Sequence, residues 1–274
     1  MADDAENLQD LESYAPRPAA PARFLQVASG HGVVRISLSR PPANVLSVDV
    51  MDELNTTLES LANQRDVKLV VLGAVGKYFS AGFELGDHLG DRAYLMMEAF
   101  KRLFDNLAAL DKPVAAVVGG AALGAGSILA VACDTVLAGA SAKFGHPEIK
   151  GGVFNPVAAA LLPRLIGRKR AFDMILGGQV VTAAEAERIG LISRAVPDDK
   201  LEAEAVALMQ RYQEGSATVL QLTRRAVAGG FELPLPDAIR HAEDVYLNQL
   251  MSTEDAEEGL KAIMEKRKPV WKDR

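Results

Sequence analysis

The chain has 274 residues, 49% of them apolar and 24% charged, with one cysteine, four histidines and a formal net charge of −6. That size and apolar share suit one large domain or two small ones and exclude a globally disordered chain, while the slight acidity lacks the clustered Lys and Arg of a nucleic-acid footprint. No apolar run approaches the ~20 residues that span a bilayer, the acidic start lacks the flank and apolar stretch of a secretory signal, and the solitary Cys133 excludes a disulfide framework or a cysteine-based zinc site. The expectation is a cytoplasmic chain with neither a membrane nor a nucleic acid as partner.

Residues 1–22 combine acidic residues with Pro16, Pro18 and Pro21 and show no apolar period, so a flexible lead-in is predicted there. Residues 24–27 and 33–38 are short β-prone runs separated by Ser29-Gly30-His31-Gly32, which predicts a hairpin ended by Pro41 and Pro42. A helix is predicted over 50–62, a buried strand over 68–73, a long helix over 91–110 and an apolar strand over 113–118. Residues 123–133 are small and aliphatic and too long for a strand, which predicts a buried helix, with extended structure resuming at 135–137. Strands alternating with helices imply parallel pairing with helical crossovers, an α/β fold. Thr182-Ala183-Ala184-Glu185 is a capping box that opens a short helix stopping at Gly190. A brief strand over 193–196 then precedes helices near 201–213, 216–228, 235–251 and 253–267. The domain reading is a tail to 22, an α/β core over 23–199 and a helical region over 200–274.

Two segments can carry chemistry. In Lys77-Tyr78-Phe79-Ser80-Ala81-Gly82-Phe83-Glu84-Leu85 the small residues let a ligand approach the main chain and leave amide N–H groups free to donate. The same segment would also serve as an ordinary strand-to-helix connection. In Val118-Gly119-Gly120-Ala121-Ala122-Leu123-Gly124-Ala125-Gly126-Ser127 a strand leads into a helix whose first N–H groups can hold an anion, although the small residues also suit tight helix packing. The third glycine of a dinucleotide fingerprint is missing, no Gly-Lys-Ser/Thr follows for a phosphate loop, and neither Ser127 nor Ser80 stands in the frame of a hydrolase nucleophile.

Together the two segments are far more specific. Phe79-Ser80-Ala81-Gly82, then the Gly-x-Ala-Leu-Gly-x-Gly stretch, Ala132-Cys133-Asp134 and Phe144-Gly145-His146-Pro147-Glu148-Ile149 resemble the crotonase (enoyl-CoA hydratase/isomerase) superfamily. The likeness runs from about Phe24 to a closing Glu265-Lys266-Arg267-Lys268-Pro269 that looks like the family's C-terminal signature. It implies a crotonase/ClpP-like superhelix of repeated ββα units with a helical C-terminal region, assembled as a homotrimer or a dimer of trimers. It also implies an acyl-CoA thioester substrate, with coenzyme A as part of that substrate and no separate cofactor. The thioester oxygen would lie between the N–H groups of Phe83 and Ala125, the CoA arm against the main chain of Ser80 and Ala81, and Lys266 near the CoA phosphates or adenine.

Typical hydratases of the family hold water between two glutamates. The second is present here as Glu148, but the first is Ile128, which can neither orient water nor exchange a proton. Three readings stay open on this resemblance. Hydration could use Glu148 with a substitute partner, for which Glu84, Asp87, His88 and His146 stand near the motifs; the wording around Glu148 looks most like hydratases of alicyclic dienoyl-CoA thioesters such as cyclohexa-1,5-diene-1-carbonyl-CoA. Glu148 alone could shuttle a proton, as in single-glutamate enoyl-CoA isomerases. The scaffold could also bind acyl-CoA for other enolate chemistry, hydrolysis or decarboxylation, or for none. His31 is expected in a turn and His241 on a surface helix, and no histidine pair has a metal-ligand spacing, so no metal is expected.

Overall fold

The computed structural model describes residues 23–274, so the predicted N-terminal tail lies outside the described residues. Strands β1 (Leu25–Gly30) and β2 (Val33–Leu38) pair antiparallel. Their two-residue turn, His31 at φ 48° and Gly32 at φ 77°, is left-handed at both positions, which matches the twist of the flanking strands. Helix α1 (Val48–Ala62) starts two residues before its predicted position because the Ser47 side chain caps it, accepting from Val50 N–H.

Three ββα units follow. They are β3 (Leu69–Ala74), β4 (Tyr78–Ser80) and α2 (Arg92–Ala109); β5 (Val114–Val118), β6 (Ala121–Leu123) and α3 (Ala125–Val131); and β7 (Thr135–Gly139), β8 (Lys143–Gly145) and α4 (Pro156–Ile166). The first strand of each unit joins a six-stranded sheet of order β1-β2-β3-β5-β7-β10, and the second joins a four-stranded sheet of order β4-β6-β8-β9. Helix α5 (Arg168–Gly177), strand β9 (Val180–Thr182), helix α6 (Ala183–Arg188) and strand β10 (Arg194–Val196) complete the two sheets. The capping box is present at α6, where Thr182 Oγ1 accepts from Glu185 N–H at 3.3 Å. Pairing from β2 through β10 in the larger sheet is parallel, as the strand–helix alternation requires.

The buried run of β3 shows how one strand serves two layers. Val70 and Leu72 face a core shared with Leu54, Leu58, Phe100 and Leu103 of α1 and α2. Leu69 and Val71 face the opposite side, against Ala205, Leu208 and Met209 of α7 (Leu201–Gln213). A strand covered on both faces reads as continuously apolar, which is why its sequence has no alternation. Helix α7, grouped by its sequence with the C-terminal helical region, thus closes the second face of the sheet and belongs to the core. Helices α8 (Ala217–Gly230), α9 (Leu235–Asp244) and α10 (Glu254–Glu265) follow it.

Four differences from the sequence reading have local causes. The predicted helix over 123–133 is divided: Leu123 ends β6 and α3 starts at Ala125, because Gly124 adopts φ 52°, ψ −123°. L side chains rarely take that conformation, and it turns the chain sharply between sheet and helix. Strands β4, β6, β8 and β9 have three residues each, too few to show a period. Helices α4 and α5 are absent from the sequence reading. The helix predicted over 235–251 stops at Asp244 and continues as a π turn over Val245–Gln249 and a 3-10 turn over Leu250–Ser252.

Close approach of the two motif segments depends on Gly120. An ideal Cβ there would lie 2.0 Å from Lys77 O and 2.7 Å from Lys77 C, both backbone atoms that cannot step aside without moving β4. Gly120→Ala is therefore expected to destabilise the fold by about 3 kcal/mol, as overpacking against fixed backbone does, with urea unfolding as the measurement. A loss below ~0.5 kcal/mol, the range of neutral surface changes, would show that the two loops are not held this tightly.

Candidate functional site

The loop after β4 is zipped to the segment before α1. Ala81 N–H donates to Ala43 O, Leu46 N–H to Gly82 O and Glu84 N–H to Leu46 O, at 2.9, 2.8 and 3.1 Å. Successive groups of an extended chain point to opposite sides, so engaging Gly82 O and Glu84 N–H with Leu46 turns Phe83 N–H the other way. Among the described residues that amide has no hydrogen-bond partner. The Phe83 ring is held edge-on by Phe100 and His88, at centroid distances of 4.7 and 5.7 Å.

Ala125 N–H is also without a partner, for a different reason. Ala125 is the first residue of α3, where N–H groups lack an intrahelical acceptor. Gly124 N–H is engaged with Gly145 O at 2.8 Å, so the strand ladder ends one residue before Ala125. Each free amide directly follows a left-handed glycine, Gly82 at φ 106° or Gly124 at φ 52°. The two loops meet: an ideal Cβ on Gly82 would lie 3.6 Å from Ala125 N.

Phe83 and Ala125 both line a cavity of about 510 Å³ whose walls also include Ala81, Leu85, Phe154, Glu148 and Asn155. A larger depression of about 690 Å³ lies elsewhere, beside Lys68 and Asp273. It lacks a comparable set of convergent free groups, since Lys68 Nζ already meets Gln213 O at 3.2 Å and Asp273 at 3.8 Å.

Glu148 sits in a 3-10 turn, Pro147–Gly151, right after β8. Its carboxylate flanks the second donor loop, with Oε2 3.1 Å from the position of an ideal Cβ on Gly124. Oε1 meets Nδ1 of the buried His146 at 3.0 Å. This contact pins one carboxylate oxygen, while Oε2 is buried and unengaged among the described residues. The contact is made across the strand-to-turn junction.

Among the described residues four buried polar side-chain atoms have no partner: Ser127 Oγ, His146 Nε2, Glu148 Oε2 and Asn155 Nδ2. All belong to the segments that build this cavity. An unmatched buried polar atom costs about 1–3 kcal/mol, and two of the four, on Glu148 and Asn155, belong to residues that line the cavity.

The other candidates separate clearly. Glu84 is paired with Arg40 at 2.8 Å. Asp87 is buried, accepts from Val48 N–H at the start of α1 and from Arg92, and is a structural clamp. Neither carboxylate is free to act beside Glu148. His88 lines the cavity. Ile128 is fully buried in the main core and is not a cavity wall. Ser80 is fully buried as well; its Oγ accepts from Gly82 N–H at 3.2 Å and its Cβ packs under Gly126, so it shapes the loop from beneath while Ala81 forms the wall.

Lys266 lies away from these walls, exposed at the C-terminus of α10 with φ 55°. Its neighbour Arg267 is paired with Glu258 and Glu265, and the first of these contacts, with Val270 N–H, holds the Glu258 carboxyl down to about 2. Trp271 packs within the chain, donating from Nε1 to Glu214 O at 2.6 Å and covering Gly259. His31 is in the hairpin turn as expected, whereas His241 is half-buried between α9 and α8, with Nε2 3.2 Å from Arg225 O. Burial pushes the Cys133 thiol well up, which leaves it unreactive. Asn155 was not singled out in the sequence, although an Asn before a proline at a helix start is a readable capping signal. Among the described residues no group of three or more His, Cys, Asp or Glu is placed to hold a metal, and no helix is long and apolar enough to cross a membrane.

The fold of ββα units brings the two glycine-bearing loops and a glutamate to the walls of one cavity. The sequence model described as enoyl-CoA hydratase/isomerase matches residues 28–274, and this chain belongs to that family. It is 36% identical over 243 residues to a probable enoyl-CoA hydratase, echA8, of Mycobacterium bovis, covering 87% of this chain and 94% of that one. It is 34% identical over 247 residues to the cyclohexa-1,5-dienecarbonyl-CoA hydratase of Thauera aromatica, covering 88% and 93%. The crystal structure of an enoyl-CoA hydratase from Bacillus anthracis superposes with a TM-score of 0.84 at 30% identity, covering 92% of this chain and all of that one.

Proposed function

We propose that this protein is a hydratase of conjugated enoyl-CoA or alicyclic dienoyl-CoA thioesters. The reading is supported by Phe83, Ala125 and Glu148 lining one cavity, with neither amide N–H engaged among the described residues. The thioester oxygen docks between the two N–H groups. As water adds to the β-carbon, the π electrons move onto that oxygen, and donors already in position hold the enolate without reorganising. Each is worth about 3 kcal/mol of barrier. Glu148 takes a proton from the water and returns it to the α-carbon, so one carboxyl serves as base and then as acid. Apolar walls from Phe83, Leu85 and Phe154 suit an acyl group, and exposed Lys266 is free to meet CoA phosphate, including that of a neighbouring subunit.

Purified protein should remove the conjugated enoyl-thioester absorbance of crotonyl-CoA or a 1,5-dienoyl-CoA, and a thioester at 100 times its Kd should stabilise the fold by ~2.7 kcal/mol. Binding without water addition to either thioester would reject the hydratase reading. Isomerisation of a 3-enoyl thioester uses the same enolate and a single carboxylate, and the aliphatic Ile128 favours it as the second reading. Product analysis with 3-enoyl-CoA separates the two.

The same proposal includes assembly as a homotrimer or a dimer of trimers in the cytoplasm. Supporting it are the exposed apolar side chains of the last helices, Val227, Leu247, Ile263 and Met264 at 63–76% exposure, and an apolar groove of about 610 Å³ beside α8 and α9. Sedimentation at micromolar concentration tests it, and a monomer would reject it.

A further inference from the structure

A hydratase with isoleucine at 128 needs another group to orient its water. Asn155 is the candidate that the structure brings forward. It is 2% exposed and borders the same cavity as Glu148, Phe83 and Ala125. Its amide orientation is fixed by capping: Oδ1 accepts from Val157 N–H at 2.9 Å and from Ala158 N–H at 3.1 Å, which only the oxygen end can do. The Nδ2 end is then a donor held on the opposite branch, buried and without a partner, as is the acceptor Oε2 of Glu148. The loop joining the two is short and tied down, since Val153 N–H donates to Glu148 O at 3.3 Å.

We propose that Asn155 Nδ2 and Glu148 Oε2 together hold the reacting water, Asn155 taking the orienting part that Ile128 cannot play. This rests on the hydratase reading. The water accepts from Nδ2 through one lone pair and gives a proton to Oε2. Its other lone pair forms the C–O bond at the β-carbon as the double-bond electrons pass to the thioester oxygen. The proton on Glu148 then forms the C–H bond at the α-carbon as the enolate collapses, so atoms and charge balance with one ionisable group. A neutral amide suffices, because the second group only has to aim a lone pair.

The test separates water addition from proton exchange. Asn155→Ser and Asn155→Asp both keep a good helix cap; the aspartate has no donor, and the shorter serine hydroxyl cannot place one at the Nδ2 position. Hydration of the thioester accepted by the wild type is expected to fall about 100-fold in kcat, as loss of one orienting contact does. Exchange of the α-protons of butyryl-CoA in D2O, which needs Glu148 and the amides but no added water, is expected to stay near the wild-type rate. Hydration close to wild type in either variant overturns the proposal, as does a parallel fall in hydration and exchange, which would make Asn155 a shaper of the loop. A wild-type protein that exchanges α-protons but hydrates no enoyl thioester overturns the hydratase reading itself, and this inference with it.

Discussion

Glu148→Gln is expected to lower turnover of the thioester by about 10²- to 10⁴-fold, the range over which a positioned acid–base group acts. Thioester affinity should change little. The glutamine amide can still bond to His146 Nδ1, so the turn after β8 keeps its one side-chain anchor. The amides of Phe83 and Ala125 and the apolar walls are untouched. The amide cannot take a proton from water, so the loss should fall on kcat while the thioester Kd, measured by calorimetry, stays within a small factor. Retention of most activity would reject Glu148 as the proton carrier and direct attention to His88, the other ionisable side chain on the cavity wall.

Ile128→Glu is the substitution that formally restores a second carboxylate, and the structure gives it the opposite expectation. Ile128 has no exposure and packs within the main core, away from the cavity walls. A glutamate there is a buried acid with no partner, expected to destabilise by about 3 kcal/mol or more and to add no hydration. Burial would raise the folded-state pKa of that carboxyl above its unfolded value near ~4.3. The sign follows: the ionisation part of the penalty is absent below the unfolded pKa, grows as pH rises toward the folded pKa and is level above it. Urea unfolding at acid and neutral pH measures this. A variant as stable as the wild type at neutral pH, or one with increased hydration, would show that residue 128 reaches the cavity after all.

The order of the larger-sheet strands and of the helices other than α4 and α5, the parallel sheet and the buried run of β3 were legible in the sequence, because they rest on periodicity and on the alternation of elements, both local properties of the chain. The role of Glu148 was legible only through the family resemblance, and Gly82 as a loop glycine, whereas the sharp turn at Gly124 was hidden inside a predicted helix. The short second-sheet strands were not legible, since three residues hold no period and the pairing of β4, β6, β8 and β9 is decided by the stacking of the units.

What tertiary structure alone decided is which polar groups remain free. Among the described residues Phe83 N–H is left unengaged because Leu46, distant in sequence, takes its neighbours on both sides. Glu84 and Asp87 are removed from consideration by Arg40 and Arg92. Asn155 presents its donor because α4 occupies its oxygen. Residue type states what a group can bond to, whereas its actual partner depends on what the folded chain brings within 3 Å, the reach of a hydrogen bond.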